Sequence, residues 1–221
     1  MMPFRVIVAG ATGLIGQQLV RMLTDSPSVN EVKLVTRRSA GFSDPKIEEI
    51  LTDFDDLDKH KERFAAEAAY CCLGTTMKKA GSKDAFYKVD HDYVLHFARN
   101  VREAGVERFF VITAMGADAD SMFYYNRVKG QTEHDLKEIN FKELHILQPS
   151  LLLGDRQESR PGESIGKVVT SAVSFLFAGP LKKYKPIRDT TVARAMMVLS
   201  EQNANGIFVH DSANIQKLGT S

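Results

Sequence analysis

Tyr125 and Lys129 stand four residues apart in the run Tyr125-Asn126-Arg127-Val128-Lys129. On a helix the two side chains share a face, while Tyr124 points elsewhere. A phenol with an unperturbed pKa near 10 is a poor proton donor-acceptor at neutral pH. A neighbouring ammonium favours the phenolate and brings the group toward the working range, which suits proton exchange with a substrate oxygen. The plainer alternative is a surface helix pair.

A second chemistry-bearing stretch opens the chain. The apolar run Phe4 to Ala9 leads into Gly10-Ala11-Thr12-Gly13-Leu14-Ile15-Gly16, three glycines at G-x-x-G-x-x-G spacing. Helical periodicity continues in Leu14, Ile15, Leu19, Met22 and Leu23. A strand, a glycine turn and a helix in that order let the backbone approach a dinucleotide pyrophosphate. The free N–H groups of the helix N-terminus then face the negative charge. In such sites the residue that judges the adenosine ribose lies at the end of the second strand. Arg37-Arg38 occupies that place, with no acid immediately after the strand. A guanidinium fork suits the 2′-phosphate of NADP(H), where an acid would suit NAD; a solvated basic turn is the alternative. Asp53, after the third strand, is read as an adenine contact or as an ordinary loop carboxylate. Gly74-Thr75-Thr76 supplies small residues where the ribose passes the main chain. Leu73 before it, and Pro149 at the end of the sixth strand, complete the expected cofactor contacts.

The elements that must position these residues alternate along the chain. Strands are expected at 4–9, 32–36, 47–51, 68–73, 109–113 and 144–147. A helix comes after the glycine turn, a long one runs from about 84 to 104 and stops at Gly105, and another spans 123–139. The alternation predicts an α/β fold: a doubly wound Rossmann-type parallel sheet with helices on both faces and a short C-terminal substrate region, mainly 150–190. One domain is expected over 1–221, with a further helix near 191–201 and a short strand near 207–210.

Bulk properties limit the function classes. The 221 residues carry 29 Lys+Arg against 28 Asp+Glu, a net charge of +1, so nothing draws the chain to nucleic acid or to an anionic membrane. The aromatics do not interleave with a basic patch. The tract 168–181 is too short and too interrupted to span a bilayer. The two cysteines, Cys71 and Cys72, are neighbours on a strand and point to opposite faces, so a disulfide is not expected and a reducing, cytoplasmic setting is. The six histidines show no metal-like spacing, and no metal site is expected.

The glycine turn with Tyr125 and Lys129 resembles the short-chain dehydrogenase/reductase superfamily in its atypical NAD(P)-binding branch. Closer still, the chain resembles the Tat-interacting protein family in several runs. These are Cys71-Cys72-Leu73-Gly74-Thr75-Thr76, Val89-Asp90-His91-Asp92-Tyr93-Val94, Met115-Gly116-Ala117-Asp118, Val128-Lys129-Gly130, and the charged run Asp155-Arg156-Gln157-Glu158-Ser159-Arg160-Pro161-Gly162-Glu163. The resemblance covers nearly the whole chain. It implies a compact Rossmann domain, NADPH as ligand, and Tyr125 and Lys129 in the catalytic positions. The superfamily also places a serine or threonine just after the fifth strand to hold the substrate carbonyl. Thr113 fills that role if it has the right register; if the position falls on Ala114 or Met115, the hydroxyl is missing.

Beyond the sixth strand, Arg156 and Arg160, with Glu158 and Glu163, would bind a polar substrate group or form ion pairs anchoring the loop. Phe175, Leu176, Phe177 and Leu181 would line a pocket, pack in the core or form a dimer face. Two functions fit these residues: an NADPH-dependent reductase acting on a small carbonyl-like substrate, or an NADPH-binding sensor reporting to a protein partner. A monomer or a homodimer fits either.

Overall fold

The computed structural model describes residues 4–153 and 185–220. Arg156, Arg160 and the rest of the 155–163 run, and the apolar tract 168–181, lie outside the described residues. Seven strands form one sheet: β1 (Phe4–Ala9), β2 (Val29–Thr36), β3 (Ile47–Leu51), β4 (Ala68–Cys71), β5 (Arg108–Ile112), β6 (Glu143–Gln148) and, at one edge, β9 (Gly206–Asp211). Their order is β3-β2-β1-β4-β5-β6-β9, and every pairing is parallel. The short strands β7 (Leu152–Leu153) and β8 (Ile187–Arg188) pair separately. The chain winds outward from β1 to β3 and then returns to β4 on the other side of β1. That reversal opens a crevice at the C-terminal ends of β1 and β4, where α/β folds bind ligands.

Alternate residues of the central strands pack on opposite faces. Val6, Val8, Leu34, Tyr70 and Phe110 meet the helix α1 (Leu14–Asp25) and the helix α6 (Asp189–Ser200) through Leu19, Leu23, Val192 and Met196. Ile7, Ala9, Val35, Cys71, Phe109 and Ile146 meet α4 (Tyr93–Glu103) and α5 (Tyr124–Lys137) through Val94, Phe97, Val101 and Leu136. Cys71 and Cys72 lie on opposite faces, as the strand period requires, and both are free thiols.

The expected helix over 84–104 is observed as one helical run over 83–103 with a π-helical turn inside it, and a further short helix precedes it. Short helices α2 (Met77–Ala80) and α3 (Lys83–Tyr87) are each started by a hydroxyl cap, Thr76 and Ser82, and are separated by Gly81 in the left-handed conformation. A single π-helical turn, Lys88–Asp92, then joins α3 to α4. A last helix, α7 (Ser212–Leu218), is capped by the Asp211 carboxylate, which accepts from the Asn214 amide at 2.8 Å. Among the described residues no helix is long and apolar enough to cross a membrane.

Candidate dinucleotide cleft and the Tyr125–Lys129 pair

The turn after β1 is closed by a hydrogen bond from the Gly13 amide to the Gly10 carbonyl at 3.0 Å. Gly10 has φ +85°, and a Cβ there would lie 2.5 Å from the Cys72 carbonyl carbon. A Cβ on Gly16 would lie 2.1 Å from the Gly10 oxygen. Those two glycines are required by the protein's own packing. Gly13 is different. It has an ordinary φ of −77°, starts α1 without a side-chain cap, and a Cβ there would come only to 3.2 Å from the Gly10 oxygen. Of the three turn glycines it is the one whose Cβ the fold itself could most nearly accept. Leu14 opens the helix beside it, and Ile15 is buried beneath.

Gly10, Thr12, Arg37, Arg38 and Leu73 come together on one cleft of about 440 Å³, with Phe54 among its lining residues. The turn carrying the arginines is held by the Thr36 hydroxyl, which donates to the Arg38 carbonyl at 2.7 Å. Both arginines are exposed, and neither guanidinium is used in a hydrogen bond or ion pair among the described residues. Asp53 is exposed on the turn after β3, where its carboxylate accepts from the Asp55 amide at 3.4 Å. Its neighbour Phe54, which the sequence did not suggest, reaches the cleft.

The remaining predicted contacts have jobs inside the protein. Thr76 caps α2. Thr75 donates its amide to Asp90 Oδ2 at 2.8 Å. Gly74 lies over Asp90 and Lys129; a Cβ there would be 3.4 Å and 3.8 Å from their charged atoms. Pro149, buried after β6, accepts the Met115 amide at 2.9 Å.

Tyr125 is in the first turn of α5, 38% exposed, with its ring 5.5 Å from that of Phe86. Tyr124 points away: its hydroxyl donates to the Lys83 carbonyl and Arg127 lies over its ring. Lys129 is buried, and its Nζ is 2.7 Å from Asp90 Oδ1. Burial would lower the lysine, but Asp90 and then Tyr125 outweigh it and hold Lys129 above its ordinary value. The expectation that Lys129 draws the phenol into the working range needs correction. Burial pushes Tyr125 up first, Lys129 pulls it down, and Asp90 pushes it up again, so the phenol stands above its ordinary value.

Thr113 is buried, and its hydroxyl donates to Glu133 Oε1 at 2.5 Å. The Gln148 amide donates to both oxygens of that carboxylate, at 3.0 and 2.9 Å. Burial outweighs these bonds and pushes Glu133 up. The loop after β5 lies directly on α5: a Cβ on Gly130 would be 2.1 Å from the Ala119 nitrogen, and the Asp118 amide donates to the Asn126 carbonyl. Met115-Gly116-Ala117-Asp118 and Val128-Lys129-Gly130 therefore dock against each other. No group of three or more His, Cys, Asp or Glu that could hold a metal ion occurs among the described residues.

Asp90, Glu133 and Gln148 are the polar residues that sequence reasoning did not assign. Asp90 had a signal, because it falls four residues after Phe86 and four before Val94, on the buried stripe of its helix.

A family model described as NAD(P)H-binding matches residues 10–172. Protein HTATIP2 of Rattus norvegicus is 37% identical over 87% of this chain and 79% of that protein. Protein fmp52, mitochondrial, of Emericella nidulans is 34% identical over 80% of this chain and 76% of that one. Among solved structures, the oxidoreductase ylbE of Lactococcus lactis superposes with a TM-score of 0.67 at 15% identity, covering 99% of this chain and 98% of that one. That last likeness is one of fold. The parallel Rossmann sheet, the matched model and the relatives agree: the chain belongs to the NAD(P)H-binding Rossmann family, in its Tat-interacting protein branch.

Proposed function

We propose that the protein is an NADPH-dependent oxidoreductase that reduces a small carbonyl-like substrate, with Tyr125 as proton donor. The observation that carries this reading is the division of the site. Arg37 and Arg38, whose guanidiniums are unpaired among the described residues, flank the same cleft as the glycine turn, and a phenol and an ammonium lie one turn apart on α5. The cleft fits the cofactor in three respects. Gly13 leaves room at the start of α1, the uncapped helix end offers its N–H groups, and the two arginines supply cations for a 2′-phosphate. Gly10, Thr12, Gly13, Leu14, Ile15 and Gly16 would hold the pyrophosphate through the backbone, and Leu73, Gly74, Thr75, Thr76 and Pro149 would border the ribose and nicotinamide.

When bound, NADPH supplies a hydride to the substrate carbon. Tyr125 gives its proton to the oxygen that gains charge, so the carbonyl becomes an alcohol. Lys129 has three N–H donors and Asp90 engages one side of it, which leaves donors for ribose hydroxyls. The protein's two free cysteines fit a reducing compartment, the cytoplasm by this reading; the fungal relative is named mitochondrial.

A second reading, an NADPH-binding regulator with little turnover, is favoured by Thr113. Its hydroxyl is buried and given to Glu133, so carbonyl polarisation would require it to leave that carboxylate. NADPH consumption across aldehydes, ketones and quinones separates the two. The reductase reading expects turnover that falls by about 100-fold or more in Tyr125→Phe with NADPH binding kept. Equal rates in the two proteins would overturn Tyr125 as donor.

A further inference from the structure

Tyr125, Lys129 and Glu133 succeed one another at four-residue spacing and so lie along one side of α5. Asp90 enters beside them from the π-helical turn Lys88–Asp92. A π turn widens the helix by one residue and rotates the next helical segment around the axis, and such turns are frequent at functional sites. Here the turn carries a fully buried carboxylate. One of its oxygens meets Lys129 Nζ at 2.7 Å, and the other accepts the Thr75 amide at 2.8 Å. The Asp90 carbonyl also accepts the Thr132 hydroxyl of α5 at 3.0 Å. One residue thus ties the loop after β4, the π turn and α5 together.

A carboxylate and an ammonium with side-chain exposures of 1% and 5% are costly to bury separately, by several kcal/mol per ion. Paired, each offsets part of the other's field at a third group close to both. Tyr125 is that group.

We propose that Asp90 is the positioning residue that tunes the proton affinity of Tyr125: by pairing with Lys129 it takes up part of the ammonium's field, so the phenol holds its proton more tightly than it would beside a free lysine. The proposal rests on the reading of Tyr125 and Lys129 given above. Tyr125 feels Lys129 pulling its pKa down and Asp90 pushing it back up, on top of burial. The other titratable groups facing the pair are accounted for. Cys71 of β4 lies beneath it with its thiol pushed up to about 12 by burial, so it stays neutral. Glu133 lies one turn further along α5, bonded to Thr113 and Gln148 and raised by burial.

The test needs no substrate. Phenolate formation is followed by absorbance near 295 nm as pH rises, each protein being compared with its own Tyr125→Phe derivative so that the other five of the six tyrosines subtract out. In the wild type, Tyr125 phenolate is expected to form at a higher pH than an ordinary phenol's. In Asp90→Asn, which keeps an oxygen for the Thr75 amide, the phenolate is expected about one pH unit or more lower, as a nearby uncancelled cation produces. Should that variant fail to fold, Asp90→Asn/Lys129→Met removes both charges of the pair and is expected to titrate within about one pH unit of the wild type. Identical titrations in the wild type and a folded Asp90→Asn overturn the proposal. A double variant shifted upward by about a unit or more also overturns it, since the field of Lys129 would then reach Tyr125 with little taken up by Asp90. The titration reads charge coupling and the Tyr125→Phe turnover reads the catalytic assignment, so each can fail without the other.

Discussion

The cleft lined by Arg37 and Arg38 and the Tyr125–Lys129 site differ in how their charged groups are held. Arg37 and Arg38 are exposed, come directly after β2, and form no ion pair among the described residues. Lys129 is buried and paired with an aspartate brought in from another helix. The first arrangement leaves cations uncommitted, which is what binding a phosphate from solution needs. The second fixes an ammonium before anything binds and gives part of its field to Asp90. By the proposed reading the arginines recognise a phosphate, while the Lys129 pair is fixed in place. Chain-local residues suffice for the first, whereas the second requires the whole fold.

The largest expected effects lie inside the glycine turn and would break the distinction drawn there between packing and binding. Gly16→Val would force a side chain into the Gly10 carbonyl, 2.1 Å from the added Cβ, and is expected to leave no folded protein by circular dichroism. Gly13→Val asks its neighbours to yield only slightly at 3.2 Å, and a β-branched N-cap costs about 1 kcal/mol of helix stability. That variant should fold yet lose NADPH affinity by about 100-fold or more in a fluorescence titration, roughly 2.7 kcal/mol. Wild-type affinity in folded Gly13→Val would remove the turn from the cofactor site.

A step smaller is the joint change Arg37→Glu with Arg38→Ala. Loss of charge-assisted bonds to a 2′-phosphate is worth roughly a 10- to 150-fold loss for NADPH, while NADH, which lacks that group, should change little. Equal losses for the two cofactors would mean that the arginines do not read the phosphate, and the contrast between the two sites would reduce to exposure alone.

Legibility in the chain divides along the same line. Parallel strands buried on both faces are largely apolar runs, so β1 is readable with its observed bounds; the edge strand β3, despite Glu48 and Glu49, is placed with its observed bounds by Ile47, Ile50 and Leu51, and the other sheet strands to within a few residues. The glycine turn and the arginines are local patterns, and the fold brings them to one cleft as their spacing predicts. Asp90 is visible only as part of a family-like run, because its meaning comes from Lys129, a distant partner in sequence that folding brings to 2.7 Å. The resemblance offers Thr113 as the substrate-facing hydroxyl if the register falls on it and not on Ala114 or Met115, and only the fold shows Glu133 taking that hydroxyl. The π-helical turn Lys88–Asp92 inside the long helix is not legible, because the apolar spacing of Phe86, Val94 and Phe97 runs on through it. The α7 helix has a cap at Asp211 and a stop at Gly219, yet it is too short for its periodicity to stand out.

The smallest expected effect lies outside both the cleft and the Tyr125–Lys129 site and tests whether stability there is separate from binding. On the sheet face covered by α1 and α6, His145 of β6 is stacked between Phe110 and Phe208. Its Nε2 is 2.8 Å from Glu143 Oε1 and its Nδ1 is 2.8 Å from His210 Nε2, while Arg108 donates to both Glu143 oxygens. Burial holds His145 below its ordinary value even though Glu143 favours the charged ring. The unfolded chain therefore takes up this proton at a higher pH than the folded one. Stability is then greatest above about pH 6.5 and falls as acid is added through that range. Glu143 adds a second loss of the same sign further down. Burial would raise it, but the bonds from Arg108 and His145 hold it below its usual range, so its contribution fades as pH drops through the carboxylate region. His145→Gln should flatten the dependence of Tm on pH between about 7.5 and 5.5 relative to the wild type, because it removes the first proton and leaves the second. NADPH affinity should not move, since His145 touches neither Arg37 and Arg38 nor the Lys129 pair. An unchanged pH slope would mean that His145 takes up its proton alike in the folded and unfolded chain, with Glu143 offsetting burial.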